Sequence, residues 1–84
     1  MSTSPDPAPI EDRLIGVLSR WLGRGIPNEQ LRRQMEEIGT AGLAPAEAEA
    51  VAEVLAELED ATPGGRAHLE RVVRETIEAL ALGI

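Results

Sequence analysis

Side chains that could carry catalysis are few in this chain, and their spacing favours no reaction. There is no cysteine, so the chain lacks a thiol nucleophile and a thiolate metal ligand, and His68 is the single histidine. Ser19 falls on the polar face of a predicted helix, and Ser2 and Ser4 lie near the N-terminus, all without the neighbouring base that activates a serine. We therefore predict a protein that is not an enzyme and that binds neither a metal nor another cofactor.

Carboxylates are abundant and recur with helical spacing. Four of them, at i, i+4, i+8 and i+11 of one predicted helix, form what we call the acidic stripe: Glu49, Glu53, Glu57 and Asp60. Like charges one helical turn apart repel each other by a few tenths of a kcal/mol per pair, about 0.2–0.5. The stripe therefore favours either a helix of high intrinsic propensity or a cationic neighbour.

A basic counterpart lies in the first predicted helix. Arg13, Arg20 and Arg24 recur at i, i+7 and i+11, and we call them the basic stripe. Three arrangements remain open from the sequence: the two stripes pair within one chain, pair between two chains, or both face water. In the second case, a twofold-symmetric dimer could place the basic stripe of one chain against the acidic stripe of its mate.

The first predicted helix, residues 10–24, is the element around which the others must pack. Its apolar side chains fill an arc of about 160° at 100° per residue, which is wider than one neighbouring helix can cover. Trp21, the only aromatic residue, lies on this arc. We expect Trp21 to be a core residue, with an interface position as the alternative.

Proline and glycine positions predict where the helices begin and end. The prediction is an all-α, compact bundle of four short helices at residues 10–24, 27–39, 45–60 and 63–82. Gly23 and Gly25 are expected to supply the left-handed positions that end the first helix, and Thr62 is expected to cap the last. The proline-rich residues 1–9 are predicted to form a disordered tail, which leaves residues 10–84 as a single domain.

The later helices are expected to present one buried face each. For the third helix this face is Ala44, Ala48, Val51, Ala52, Val54, Leu55 and Leu58, and for the fourth it is Leu69, Val72, Val73, Thr76, Ile77, Leu80 and Ile84. Leu82 points away from the fourth helix's core face. Leu82 and Ile84 therefore add apolar surface that could join one chain to another.

Charge and hydropathy limit the classes of partner. The net charge is −7, with −1 in residues 1–42 and −6 in residues 43–84, which disfavours nucleic acid because phosphate binding needs a basic surface. No apolar run approaches the roughly 18 residues of a membrane span, and no signal peptide is recognisable, so we expect no membrane partner and a cytoplasmic protein.

Two family resemblances extend only to limited features. The size, acidity and four short helices resemble acyl carrier proteins, which carry phosphopantetheine on a serine at the start of their second helix. Residues 26–29 and 43–46, at the comparable helix starts, hold no serine. Trp21-Leu22-Gly23 is similar to the W-x-G tripeptide of small secreted helical-hairpin proteins, but it lies a quarter of the way along the chain, ahead of three helices.

Three hypotheses for function follow. The first is a non-enzymatic protein–protein interaction module, an adaptor, regulator or accessory subunit that forms a homodimer. The second is an acidic inhibitor, similar to an antitoxin, that neutralises a basic protein. The third is a helical bundle that binds a ligand in a pocket lined by Trp21, although no polar groups converge there in the sequence.

Overall fold

Four helices make up the fold of the described residues. The structure is a computed structural model, and it describes residues 9–60 and 65–82. Within them the helices are α1 (Ile10–Leu22), α2 (Asn28–Ile38), α3 (Pro45–Glu59) and α4 (Arg66–Leu82), and there is no strand. The predicted all-α fold is confirmed. The helix ends agree with the prediction to within two residues, except for the start of α4, which was predicted at residue 63 and lies at Arg66. The predicted tail up to residue 8, the Thr62 cap and Ile84 lie outside the described residues.

Each helix packs against two others, so the four form a closed ring. α1 packs against α2 and α4, and α3 packs against α2 and α4, whereas no Cα atom of α1 comes within 8 Å of one in α3. The wide apolar arc of α1 explains its place, because it covers two neighbours at once. In this arrangement α1 and α3 stand on one diagonal of the bundle.

The core contains side chains from all four helices and from the connection after α1. Its buried apolar residues are Leu14, Val17, Leu18, Trp21, Ile26, Leu31, Met35, Val51, Val54, Leu58, Leu69, Val72, Val73 and Leu80. Each such side chain contributes about 1.5–3 kcal/mol when it is removed from water. Thr76 is buried as expected, and its hydroxyl donates to the Val72 carbonyl at 2.9 Å. Leu82 is 72% exposed, in agreement with the sequence.

The buried face of α3 is narrower than the sequence suggested. Val51, Val54 and Leu58 are buried, but Ala52 is exposed, so its predicted core position is wrong. At 100° per residue Ala52 lies about 120° from the middle of the buried stripe, beyond the reach of α2 and α4. The outer face of α3 therefore carries small residues as well as acids.

Glu47 is a buried acid that the sequence analysis missed. It is 2% exposed, and its Oε1 accepts a hydrogen bond from the Ala44 backbone N–H at 3.0 Å. This contact satisfies a donor that the start of α3 would otherwise leave unpaired. A glutamate at the third position after the cap is the sequence signal that could have revealed it.

The end of α1 differs from the prediction. The residue in the left-handed region is Arg24, with φ of 64°, whereas Gly23 has φ of −79°. The Arg24 N–H donates to the Trp21 carbonyl at 2.9 Å and the Gly25 N–H to the Arg20 carbonyl at 2.8 Å, the bonding pattern of a Schellman motif. Gly25 suits this turn for another reason, since a Cβ there would lie 3.3 Å from the Arg20 oxygen.

We expect Arg24→Gly to raise the free energy of unfolding by about 1 kcal/mol, because a left-handed backbone is strained for a residue with a Cβ and not for glycine. Urea denaturation followed by circular dichroism would measure the change. Gly23→Ala is the matched control and should be tolerated, since its φ is ordinary. A loss of stability in Arg24→Gly would contradict this description of the turn.

Candidate interaction surfaces

Trp21 is a core residue of α1 that contacts the starts of α2 and α4. It is fully buried at the end of α1, and its indole N–H donates to Asn28 Oδ1 at 2.6 Å, at the start of α2. The Arg66 guanidinium, at the start of α4, lies 4.1 Å from the indole ring centroid and donates to the Trp21 carbonyl at 3.1 Å. Trp21 therefore offers no exposed surface to a partner.

Arg66 holds the start of α4 against Trp21, a role that the sequence did not predict. Its Nε donates to Glu70 Oε2 at 2.7 Å, and Arg74 lies 3.7 Å from the other oxygen of Glu70. A cation at the end of α1 also suits the partial negative charge of the last carbonyls of a helix. The contact with Trp21 spans 45 residues of sequence, so no local pattern could have predicted it.

The basic stripe forms part of a groove between α1 and α2. Arg13 and Arg20 are exposed and line this groove, which has a volume of about 390 Å³. Its other lining residues are Asp12, Gly16, Val17, Gln34, Glu37 and Ile38. Arg24 lies beyond the end of α1, so it does not continue the helical spacing of Arg13 and Arg20, and it does not line the groove. Two acids balance the two arginines in this lining, so we call the feature the basic groove after Arg13 and Arg20 and not after a net charge.

Gly16 lies between the two arginines in the basic groove. It is exposed, and a Cβ built on it would meet nothing within 4 Å. A glycine inside a helix costs about 0.5–1 kcal/mol relative to alanine. Contacts among the described residues therefore give no reason for glycine at this position.

The acidic stripe is exposed along α3. Glu49, Glu53 and Asp60 are exposed, and Glu57 is half-buried with its Oε1 3.4 Å from His68 Nε2 of α4. No arginine forms an ion pair with these four acids among the described residues. The contact with His68 places the stripe beside the edge where α3 meets α4.

The two charged surfaces do not meet within the chain. The basic groove lies at the α1/α2 edge, and α1 and α3 share no contact. In a ring of four helices the α1/α2 edge and the α3/α4 edge are opposite each other. Of the three arrangements left open by the sequence, pairing within one chain is therefore not observed for the described residues.

Residues 9–60 and 65–82 were compared with the requirements of a metal site and of a membrane-spanning helix. No three histidine, cysteine or acidic side chains come together there as metal ligands. None of the helices in these two ranges has both the length and the apolar character that crossing a membrane requires. The exposed Leu82 lies at the end of α4.

Comparisons with known proteins identify no relative of this chain: no protein-family model, no curated protein and no solved structure matches it.

Replacing Asn28 tests the hydrogen bond on which Trp21 depends. Asn28→Ala should lower the free energy of unfolding by about 1–3 kcal/mol, because the buried indole N–H then loses its acceptor. Asn28→Asp keeps an oxygen in the same place and should retain most of the stability. Urea denaturation would measure the free energy of unfolding of both variants. Equal values for Asn28→Ala and Asn28→Asp would contradict the role of this bond.

Trp21→Ala should lower the free energy of unfolding by about 3–5 kcal/mol, close to the whole stability of a small domain. The side chain is fully buried, so its removal leaves a cavity, an Asn28 oxygen without its indole donor and an Arg66 guanidinium without the ring beneath it. Thermal melting followed by circular dichroism would show the loss. A well-folded variant whose defect is confined to association would instead indicate an interface role.

Proposed function

We propose that this protein is a non-enzymatic protein–protein interaction module, acting as a small adaptor, regulator or accessory subunit that associates with copies of itself. The observation that carries the proposal is the separation of the basic groove from the acidic stripe. Both surfaces belong to one chain, both are exposed, and α1 and α3 do not contact each other. A second copy offers each surface a complementary one.

Self-association of this kind is a weak, electrostatic contact. Exposed ion pairs contribute about 0–1 kcal/mol each, so several must act together to hold two chains. Leu82, 72% exposed at the end of α4, is the apolar surface that would supplement them. A dimer is the smallest assembly that the proposal requires.

The alternative is an acidic inhibitor, similar to an antitoxin, that neutralises a basic protein. It is favoured by the exposure of Glu49, Glu53 and Asp60 and by the net charge of −6 in residues 43–84. Long-range attraction would then give fast association that salt slows. Glu53→Arg together with Glu57→Arg should reduce the association rate with such a partner while the fold is retained.

The remaining parts of the proposal follow from composition. An acidic chain is a poor partner for nucleic acid, since phosphate contacts need arginine or lysine surfaces. We propose a cytoplasmic location, with which a chain free of cysteine is compatible.

Light scattering at low and high salt tests self-association. In about 10 mM salt, where screening extends over about 30 Å, we expect a mass of at least twice the 9.0 kDa chain. In about 1 M salt the screening length falls to about 3 Å, and the mass should fall towards that of one chain.

The same measurement separates the alternatives. A mass that exceeds one chain and does not respond to salt would indicate that the contact is apolar and lies at the end of α4. A single chain under both conditions would contradict self-association and favour the inhibitor. Glu75→Gln, an exposed charge outside both surfaces, serves as the control for net charge.

A further inference from the structure

We propose that the basic groove binds the acidic stripe of a second copy, and that the chains associate head to tail. This inference rests on the self-association proposed above and adds the surfaces and the geometry of the contact. It is supported by the spacing of the charges, by the small residues that accompany them, and by the opposite positions of the two surfaces on the bundle.

The charges on the two surfaces have the same spacing. Arg13 and Arg20 are seven residues apart, which is about 10.5 Å along a helix at 1.5 Å per residue. Glu53 and Asp60 of the acidic stripe are also seven residues apart. Two guanidinium–carboxylate pairs can therefore form at once when α3 of one copy lies along the groove of another.

Small residues lie between the charges on both surfaces. Gly16 separates the two arginines and leaves open space in the groove. On α3, the exposed Ala56 lies between Glu53 and Asp60 along the helix, as Glu57 also does, and the exposed Ala52 precedes Glu53. Small side chains allow two helices to approach at the short end of the usual 8–10 Å range. A docked α3 gives a reason for glycine at position 16 that the chain's own packing does not.

The positions of the two surfaces determine the symmetry. The groove lies at the α1/α2 edge, and the acidic stripe lies beside the opposite edge, where Glu57 contacts His68. A twofold dimer requires the same patch on both subunits, whereas a contact between different, opposite patches leaves one free copy of each. Such a contact adds further chains, as a closed ring or as an open filament according to the rotation between successive copies.

Two acids in the groove oppose the proposed contact. Asp12 and Glu37 line the groove, and neither forms an ion pair with Arg13 or Arg20 among the described residues. They would repel the incoming carboxylates of α3. Removing one of these charges should therefore strengthen the contact.

The experiment uses two variants that each lose one surface. The groove variant carries Arg13→Glu and Arg20→Glu, and the stripe variant carries Glu53→Gln and Asp60→Gln. All four positions are exposed, and circular dichroism would verify that the fold is intact. Light scattering at low salt would then measure the mass of wild type, of each variant and of their equimolar mixture over a range of concentrations.

For the wild type we expect a mass that rises beyond two chains with concentration, and for each variant alone a single chain. The mixture should form a complex of one copy of each that grows no further, because only one groove and one stripe remain intact. A wild type that stops at two chains, variants that assemble as wild type does, or a mixture that stays monomeric would each overturn the head-to-tail contact while leaving self-association in place. A wild type that is monomeric at every concentration would overturn both proposals.

Glu37→Gln supplies an independent measurement, with Glu75→Gln as its control. Both variants remove one negative charge, but only Glu37 lines the groove. We expect Glu37→Gln to tighten association about 2- to 5-fold more than Glu75→Gln does, the size of effect that one exposed charge contact produces. Equal effects would show that the groove is not the contact surface and would overturn the inference.

Discussion

The burial of Trp21 is the interaction on which the rest of the structure depends. Its ring lies under the Arg66 guanidinium, its indole N–H is bound by Asn28, and its carbonyl accepts hydrogen bonds from both Arg24 and Arg66. The end of α1 and the starts of α2 and α4 thereby meet at one side chain. A domain of this size has few large side chains to spare, so one contact that positions three helices has a large share in its stability.

The closed ring of helices has a consequence for charge. Because α1 is held between α2 and α4, it cannot reach α3, and the arginines of the basic groove are kept apart from the acids of α3. If these arginines and acids formed ion pairs within the chain, they would not be available to a partner. Their separation gives the molecule two unlike sides, which is the physical basis of the proposed association.

Three residues, Gly16, Arg24 and Ala52, need both the sequence and the tertiary structure for their description. Gly16 and Ala52 are unremarkable in sequence, and the structure leaves both exposed, where the fold gains little from them. Arg24 keeps a left-handed backbone where glycine would be more stable. Gly16 and Ala52 would let the helices of two copies approach closely in the proposed contact. Nothing in the structure explains why position 24 is arginine.

Hydrophobic periodicity by itself determined that the chain forms four helices, that α1 needs two neighbours and that Trp21 lies on the apolar arc, because those properties follow from local 3.6-residue spacing. Only the structure decided that Trp21 is buried in the core. The periodicity also located Arg13, Arg20 and the acidic stripe. Only the tertiary structure decided that these surfaces lie apart, that Ala52 is exposed and that Arg66 covers Trp21. The reason is physical: such features depend on which helix lies beside which, and contacts between residues as distant as 21 and 66 leave no periodic signal.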